Sequence, residues 1–334
     1  MIQIISPSKL TTGGTELLHQ LNYELEKLGA DVGMSYYDKE NKSFVEIDIN
    51  PNFKKYSVIK SKSVKLTDSA DTVIVVPETM LKHISKITNA KIYVWWLSVD
   101  NYKVNLNLDY LKDYGLKSFI YEFKKALTIT PISKLRIHKH LVQSKYAQEF
   151  LASQSVKSEY LSDYINTDFS NVDSEIKKSD IICYNPAKGK NVTKRIIDFY
   201  KNRNSKVRFV PIVKMNQKQV AETLRSAKIY IDFGWHPGKD RIPREARLQD
   251  CVIITGSRGS AKNEEDVRIP QKYKFDEKSP DFLKNIDLII MDVMNNFDQN
   301  LNSQNKYKEA INNERNIFEK EVKRFYKEVI NNQL

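Results

Sequence analysis

The stretch FGWHPGKDRIPREARLQDCVII, residues 233–254, crowds His236, Lys239, Asp240, Arg241, Arg244 and Glu245 around a turn rich in glycine and proline. Such a set can do two kinds of chemistry. Its cations can hold a phosphate or diphosphate, and its carboxylates can accept from the hydroxyls of a ribose or sugar. The flanking pattern says what must position them. Residues 228–233 (KIYIDF) read as a buried strand, GWHPGKD as an irregular loop, residues 243–249 as a short helix and residues 251–255 as the next strand. Such a loop opens at the carboxyl edge of a parallel sheet, where open α/β sheets bind ligands. Pro243 suits a first helical turn, Asp240 is the expected cap, and the free N–H groups of that turn favour an anion. The competing reading is a solvated loop of paired charges, which leaves the placing of Gly234, Pro237 and Gly238 unexplained.

The same edge should collect more cations. A strand beginning at Asp180 (IICYNP) ends in the basic turn Lys188-Gly189-Lys190, followed by a helix over 192–200, a strand over 207–213 and a helix over 218–226. Turns after successive parallel strands share one edge, so Lys188 and Lys190 are expected beside Arg241 and Glu245. Beyond residue 255, Gly256, Gly259 and Ser260 offer a second nest of backbone N–H groups. Helices are predicted over 282–297 and 306–329, the last with Phe318, Val322, Phe325, Tyr326 and Val329 on one apolar stripe.

The first half alternates in the same way. Residues 2–6 form a strand, Gly13-Gly14-Thr15 a turn whose N–H groups can approach an anion, and Leu17, Leu18, Leu21, Leu25 and Leu28 the apolar face of a helix ended by Gly29. The turn has neither the Lys-Ser/Thr pair of a Walker loop nor the full dinucleotide G-x-G-x-x-G. Strands are predicted over 31–37, 56–66, 72–77 and 91–99, with helices around 80–87 and over 109–127. Glu78 and Asp100 then fall at carboxyl ends of neighbouring strands, where either could act as a general base, or cap a helix and shape a turn. A short strand, a helix from Ser144 and a return strand close a first domain, residues 1–163. A linker over 164–179, a second domain over 180–305 and a terminal helix over 306–334 complete the division.

With 334 residues, 40% of them hydrophobic, the chain can build two α/β domains. No apolar run reaches membrane-spanning length and MIQIISPSKL is no signal peptide, so a cytoplasmic protein is expected. Cys183 and Cys251 lack metal-ligand spacing and read as buried thiols; no metal site is predicted. A net charge of +12 selects anionic partners. Nucleic acid is not expected, since no helix-turn-helix, ribonucleoprotein or zinc signature appears. The clusters Lys54, Lys55, Lys60, Lys62, Lys65 and Lys134, Arg136, His138, Lys139, His140 suggest peripheral contact with acidic lipid at the inner face of the cell membrane.

These features resemble the GT-B-fold glycosyltransferases, of the kind that build bacterial surface polysaccharide, over nearly the whole chain. GGTELLHQLNYELEKLGADV is similar to their first Gly-Gly turn and helix, NPAKG to the basic turn opening their second half, and REARLQDCVIITG to their later helix and strand. The resemblance implies two Rossmann-like doubly wound domains facing a cleft, with the terminal helix packed back on the body. It also implies transfer of a sugar from a nucleotide-sugar donor to a glycan, lipid-linked or protein acceptor, without a cofactor or metal. Gly13, Gly14, Thr15, Lys188, Lys190, Lys239, Arg241, Gly259 and Ser260 would serve the diphosphate, and His236, Asp240, Arg244 and Glu245 the ribose and sugar. Asp100 would be the base if the reaction inverts. The pattern departs at Pro237, where a Glu-x7-Glu pair in many retaining members has its first glutamate. The alternative is a non-catalytic transferase-like subunit.

Overall fold

A computed structural model describes residues 1–56, 63–106, 108–166, 176–203 and 206–331. The chain divides into two compact units, Met1–Asp163 with Arg315–Leu334, and Tyr164–Glu314. Residues 57–62 of the strand expected over 56–66, with Lys60 and Lys62, lie outside the described residues, as do residues 167–175 of the expected linker.

The first unit is built on β1 (Ile2–Pro7), β2 (Val32–Asp38), β3 (Ser43–Val45), β4 (Val73–Pro77), β5 (Lys91–Trp96), β6 (Lys139–Val142) and β7 (Glu159–Tyr160). Their order is β3-β2-β1-β4-β5-β6-β7, and every pair is parallel except β2 with β3. Strand order therefore reverses between β1 and β4. The central strands are buried on both faces, as parallel sheets covered by helices require, which is why VIVVP and IYVWW read as unbroken apolar runs. Trp95 and Trp96 are fully buried core, their indole N–H groups donating to Leu161 O (2.8 Å) and His140 Nδ1 (3.0 Å).

The second unit carries β8 (Ser179–Tyr184), β9 (Arg208–Pro211), β10 (Ala227–Asp232), β11 (Val252–Gly256) and β12 (Lys274–Phe275), all parallel, in the order β12-β11-β10-β8-β9. Here the order reverses between β8 and β10. Ile182, Ile229, Tyr230, Ile231, Val252, Ile253 and Ile254 make the centre of its core, and Cys183 and Cys251 are buried free thiols within it.

Several elements differ from the sequence reading. The helix expected around 80–87 is a 3-10 turn, Glu78–Ile84, and the return strand near 160 shrinks to two residues. The helix Leu108–Thr128 is broken at Gly115, whose φ of 78° no α-helix contains. The single helix expected over 306–329 is two, Asn305–Asn312 and Glu314–Asn331. Its apolar positions serve two cores: Tyr307 and Ile311 pack into the second unit, whereas Phe325 meets Tyr93 of the first at 5.1 Å between ring centroids. The poor helix formers Asn312 and Asn313 sit at the break. In the first unit the last helix is also tied by Glu321, which accepts from Ser162 N (2.7 Å) and Oγ (2.6 Å), and by Glu328, which accepts from Tyr93 Oη (2.9 Å). No helix among the described residues is long and apolar enough to cross a membrane.

Glu78 does not cap its turn. Its buried carboxyl accepts from Leu97 N at 2.9 Å, and burial, only partly offset by that bond and other backbone N–H groups, raises its pKa from 4.5 to about 7. A raised carboxyl contributes its stability fully below pH 4.5 and loses it as pH rises through 7. Glu78→Gln keeps an acceptor for Leu97 without the charge. It should unfold at nearly the wild-type urea midpoint at pH 4.5 and be the more stable form at pH 8, by up to about 3 kcal/mol. An identical difference at both pH values would contradict this.

Candidate functional site

Four loops, following β8, β10, β11 and β12, meet at the carboxyl edge of the second sheet. The contact between the first two is made by glycine. Gly189 has φ 56°, and a Cβ there would lie 2.6 Å from the Phe233 carbonyl carbon. A Cβ on Gly234 would lie 2.7 Å from Lys188 Cβ. No other residue type lets the two backbones come this close. The contact delivers the Lys188 side chain from the β8 loop onto the loop after β10.

There Lys188 Nζ pairs with Asp240 Oδ1 at 2.6 Å, while His236 Nδ1 lies 2.8 Å from Asp240 Oδ2. On its other side His236 Nε2 is 3.6 Å from Asp232 Oδ1. His236 and Asp232 are fully buried, and Asp240 is partly exposed. Burial is the largest influence on His236 and pushes its pKa down, but Asp232 and Asp240 together outweigh it and the net shift is upward. Burial likewise raises Asp240, yet His236 and Lys188 hold its pKa below the ordinary value. The histidine pair is thus stabilising below pH 6.5 and weakens as pH rises through the raised value. Asp240 stands at the N-cap position of the helix Arg241–Leu248 but makes no side-chain cap hydrogen bond, because its two oxygens face Lys188 and His236 instead.

The other residues named from sequence divide into two groups. Arg241 and Glu245 face each other on the first turns of that helix, with Arg241 Nη2 and Nε each 3.3 Å from Glu245 Oε1. Lys190 is exposed at the start of the helix Lys190–Lys201, whose N-cap is Gly189. These three stay at the edge. Lys239 and Arg244 instead turn to Glu314, at 2.9 and 2.8 Å. Arg244 is fully buried, and its remaining N–H groups donate to Asp240 O (3.1 Å) and Lys239 O (2.9 Å), so it braces the loop from behind. Ser260 is spent in the same way. Its N–H donates to His236 O at 2.9 Å and its hydroxyl to Gly238 O at 2.5 Å, leaving Gly259 (φ 55°) to make the turn.

In the first unit Gly13, Gly14 and Thr15 are the first turn of the helix Gly13–Lys27, not a loop before it. Thr12 and Thr15 form a reciprocal capping box, which uses the Thr15 N–H and hydroxyl. His19 anchors this turn to β2 through Thr15 O (2.6 Å) and Tyr36 Oη (2.8 Å), and its burial lowers its pKa to about 4. Asp100 Oδ1 accepts from Tyr146 Oη at 2.6 Å and lies 3.6 Å from Lys103 Nζ, while its buried Oδ2 has no hydrogen-bond partner among the described residues.

Sequence reasoning missed Asp232, Trp235, Arg258, Glu277 and Glu314. Glu277, from the loop after β12, is buried with neither oxygen in a hydrogen bond among the described residues. Arg258 Nε approaches it at 3.3 Å, and the same guanidinium lies 5.5 Å from the Trp235 ring centroid. The buried Trp235 Nε1–H has no acceptor among the described residues either. Burial raises the Glu277 pKa against the opposing pull of Arg258. An unmet donor and an unmet carboxyl beside a cation suit a hydroxylated, anionic ligand. Asp232 ends an otherwise apolar strand, which is a signal; nothing in the local sequence marks Glu277.

Asp232, His236 and Asp240 place one ligand atom each within 4.8 Å of one another, the spacing of a metal site. Lys188 pairs with Asp240 Oδ1, so a metal ion there would share that carboxylate with an ammonium.

Two Rossmann-like units of this kind give the chain the GT-B fold. Among solved structures it is similar to a sucrose-phosphate synthase from Thermosynechococcus elongatus (TM-score 0.63, 12% identity, 98% of each chain covered). It is similar too to a glycosyltransferase from Rickettsia africae (0.60, 13%, 98% of each) and to Anabaena HepE in complex with UDP and glucose (0.63, 8%, 99% of each). No protein-family model and no curated protein matches the sequence.

The glycine contact can be tested against a control. Gly189→Ala combines a left-handed φ with a backbone clash and should lower the unfolding free energy by about 3 kcal/mol in urea. Gly29 also has a left-handed φ (78°), but nothing lies within 4 Å of an added Cβ, so Gly29→Ala should cost only about 1 kcal/mol. Equal losses would show that the approach of the two loops constrains nothing.

Proposed function

We propose that this protein transfers a sugar from a nucleoside-diphosphate-sugar donor to a hydroxyl of a glycan, lipid-linked or protein acceptor of the surface-polysaccharide kind. The observation that carries this reading is the charge arrangement at the β8/β10 switch point. A lysine is fixed by Asp240 beside a buried histidine, with Arg241, Lys190 and Arg258 at the same edge. When the bond between the anomeric carbon and the phosphate oxygen breaks, its electron pair stays on the diphosphate. Preoriented cations lower the energy of that developing charge. Lys188 is the principal group in this role, since its ammonium is already held in place.

Glu245, the acceptor nearest Arg241, takes the ribose hydroxyls. Glu277 and Trp235 take hydroxyls of the sugar, for which a carboxyl acceptor and an indole donor are apt. This assignment gives the carboxyl absent at Pro237 a counterpart from another loop. Lys239, Arg244 and Ser260 act by holding the loop rather than by touching the donor. In the first unit Asp100 Oδ2 is the group offered for the acceptor's proton if the reaction inverts. The likeness in fold to HepE, whose structure contains UDP and glucose, supports a nucleotide-sugar donor. No metal is required in this scheme, because side chains meet the diphosphate charge.

Thermal unfolding with UDP, GDP, ADP and their glucose conjugates tests this. One nucleotide at 100 times its Kd should add about 2.7 kcal/mol to stability. Lys188→Ala should weaken that nucleotide at least tenfold, corresponding to about 1.4 kcal/mol, and EDTA should leave the shift unchanged. Absence of any shift from folded wild type would overturn the reading; loss of the shift in EDTA would overturn its metal independence.

A further inference from the structure

Beyond Gly115, the helix Leu108–Thr128 turns the wrong side outward. Leu116, Ile120, Phe123 and Leu127 follow at spacings of four, three and four, which aligns them on one helical face. They are 65, 45, 54 and 74% exposed. The side of the helix packed on the unit is held by a carboxylate: buried Glu122 accepts from Asn105 N (2.8 Å) and from Lys125 Nζ (2.8 Å), and Lys125 also donates to Asn101 O (3.3 Å). The helix therefore spends its one acid between residues 116 and 128 on the interior. Its outward face is left with an apolar stripe bordered by exposed Lys117 and Lys124.

Neighbouring chain has the same character. Leu108 is 72% exposed ahead of the stripe, and Ile137, between Arg136 and His138, is 84% exposed after it. Large apolar side chains left uncovered in a row mark a contact surface, unlike single exposed leucines.

We propose that this face docks on an anionic lipid bilayer surface, the stripe entering the acyl boundary and the lysines meeting the head groups. Charge decides among occupants. A helical segment such as residues 116–128, with an apolar stripe, flanking lysines and its one acid turned inward, is the composition that lies flat in a membrane interface. A second copy would bring the same cations against each other, and three turns of helix offer much less than the roughly 800 Å² per partner of a stable dimer. The net charge of +12 has the same sign, and each lysine near an acidic surface adds attraction that salt screens. This inference stands on the first unit alone and does not depend on the activity proposed above.

The test is co-sedimentation of the full chain with vesicles of phosphatidylcholine alone or with 30% (about one lipid in three) phosphatidylglycerol. Binding should require phosphatidylglycerol and fall at high salt. Ile120→Ser with Phe123→Ser should weaken it at least tenfold, as should Lys117→Glu with Lys124→Glu, with unfolding temperatures unchanged because all four side chains are exposed. A second readout uses the burial of both native thiols. An environment-sensitive dye on Ile120→Cys should shift to the blue with the acidic vesicles, and the same dye on Lys218→Cys, in the second unit, should not. No binding to acidic vesicles, equal binding by the variants, or a concentration-dependent dimer lost in Ile120→Ser/Phe123→Ser would overturn the proposal.

Discussion

Everything at the edge of the second sheet depends on one carboxylate, Asp240, held between the Lys188 ammonium at 2.6 Å and the buried His236 imidazole at 2.8 Å. The three residues come from two loops on either side of the point where strand order reverses. An isolated buried imidazolium would lose its proton, and an isolated half-buried aspartate would gain one. Together each favours the charged form of the other, and the opposite shifts of the two pKa values follow from that pairing. The ion pairs are possible only because Gly189 and Gly234 let the two loop backbones touch.

Around this centre the cations have divided their work. Arg244 and Lys239 are consumed by Glu314, a pairing that compensates the burial of a guanidinium which would otherwise be prohibitive. Ser260 ties the loop after β11 to the loop after β10. What remains toward the edge is Lys188, Lys190, Arg241 and Arg258, with the unmet polar groups of Trp235 and Glu277 beside them. A rigid loop with some of its polar capacity unused is how a site is preorganised for a ligand. The first unit shows the same economy in reverse, since the Thr12–Thr15 capping box uses the Thr15 N–H that a loose glycine loop would have offered to an anion, and His19 holds the turn through the Thr15 carbonyl.

The alternation of strands and helices was legible because parallel sheets write unbroken apolar runs, and the two Rossmann-like units follow from it. The loop at 234–240 was legible from its glycines, proline and charges. Which cations stay at the edge and which brace the loop was not. Lys188 and Lys239 are alike in sequence, and the difference between them lies in partners: Asp240 for one, and for the other Glu314, far along the chain. Glu277 was invisible because its relevance arises only when β12 sets its loop beside that of β11. The apolar stripe from Phe318 to Val329 does lie on one helix, but nothing in that stripe records where the helix begins, so the break after Asn312 was not legible.

The most direct measurement is a crystal structure with the nucleoside diphosphate that stabilises the protein most. The account predicts diphosphate density against Lys188, with Arg241 or Arg258 as second cation, ribose hydroxyls at Glu245, and the Lys188–Asp240–His236 contacts retained. Diphosphate bound elsewhere, or bound through Lys239 and Arg244 with their pairing to Glu314 broken, would contradict it.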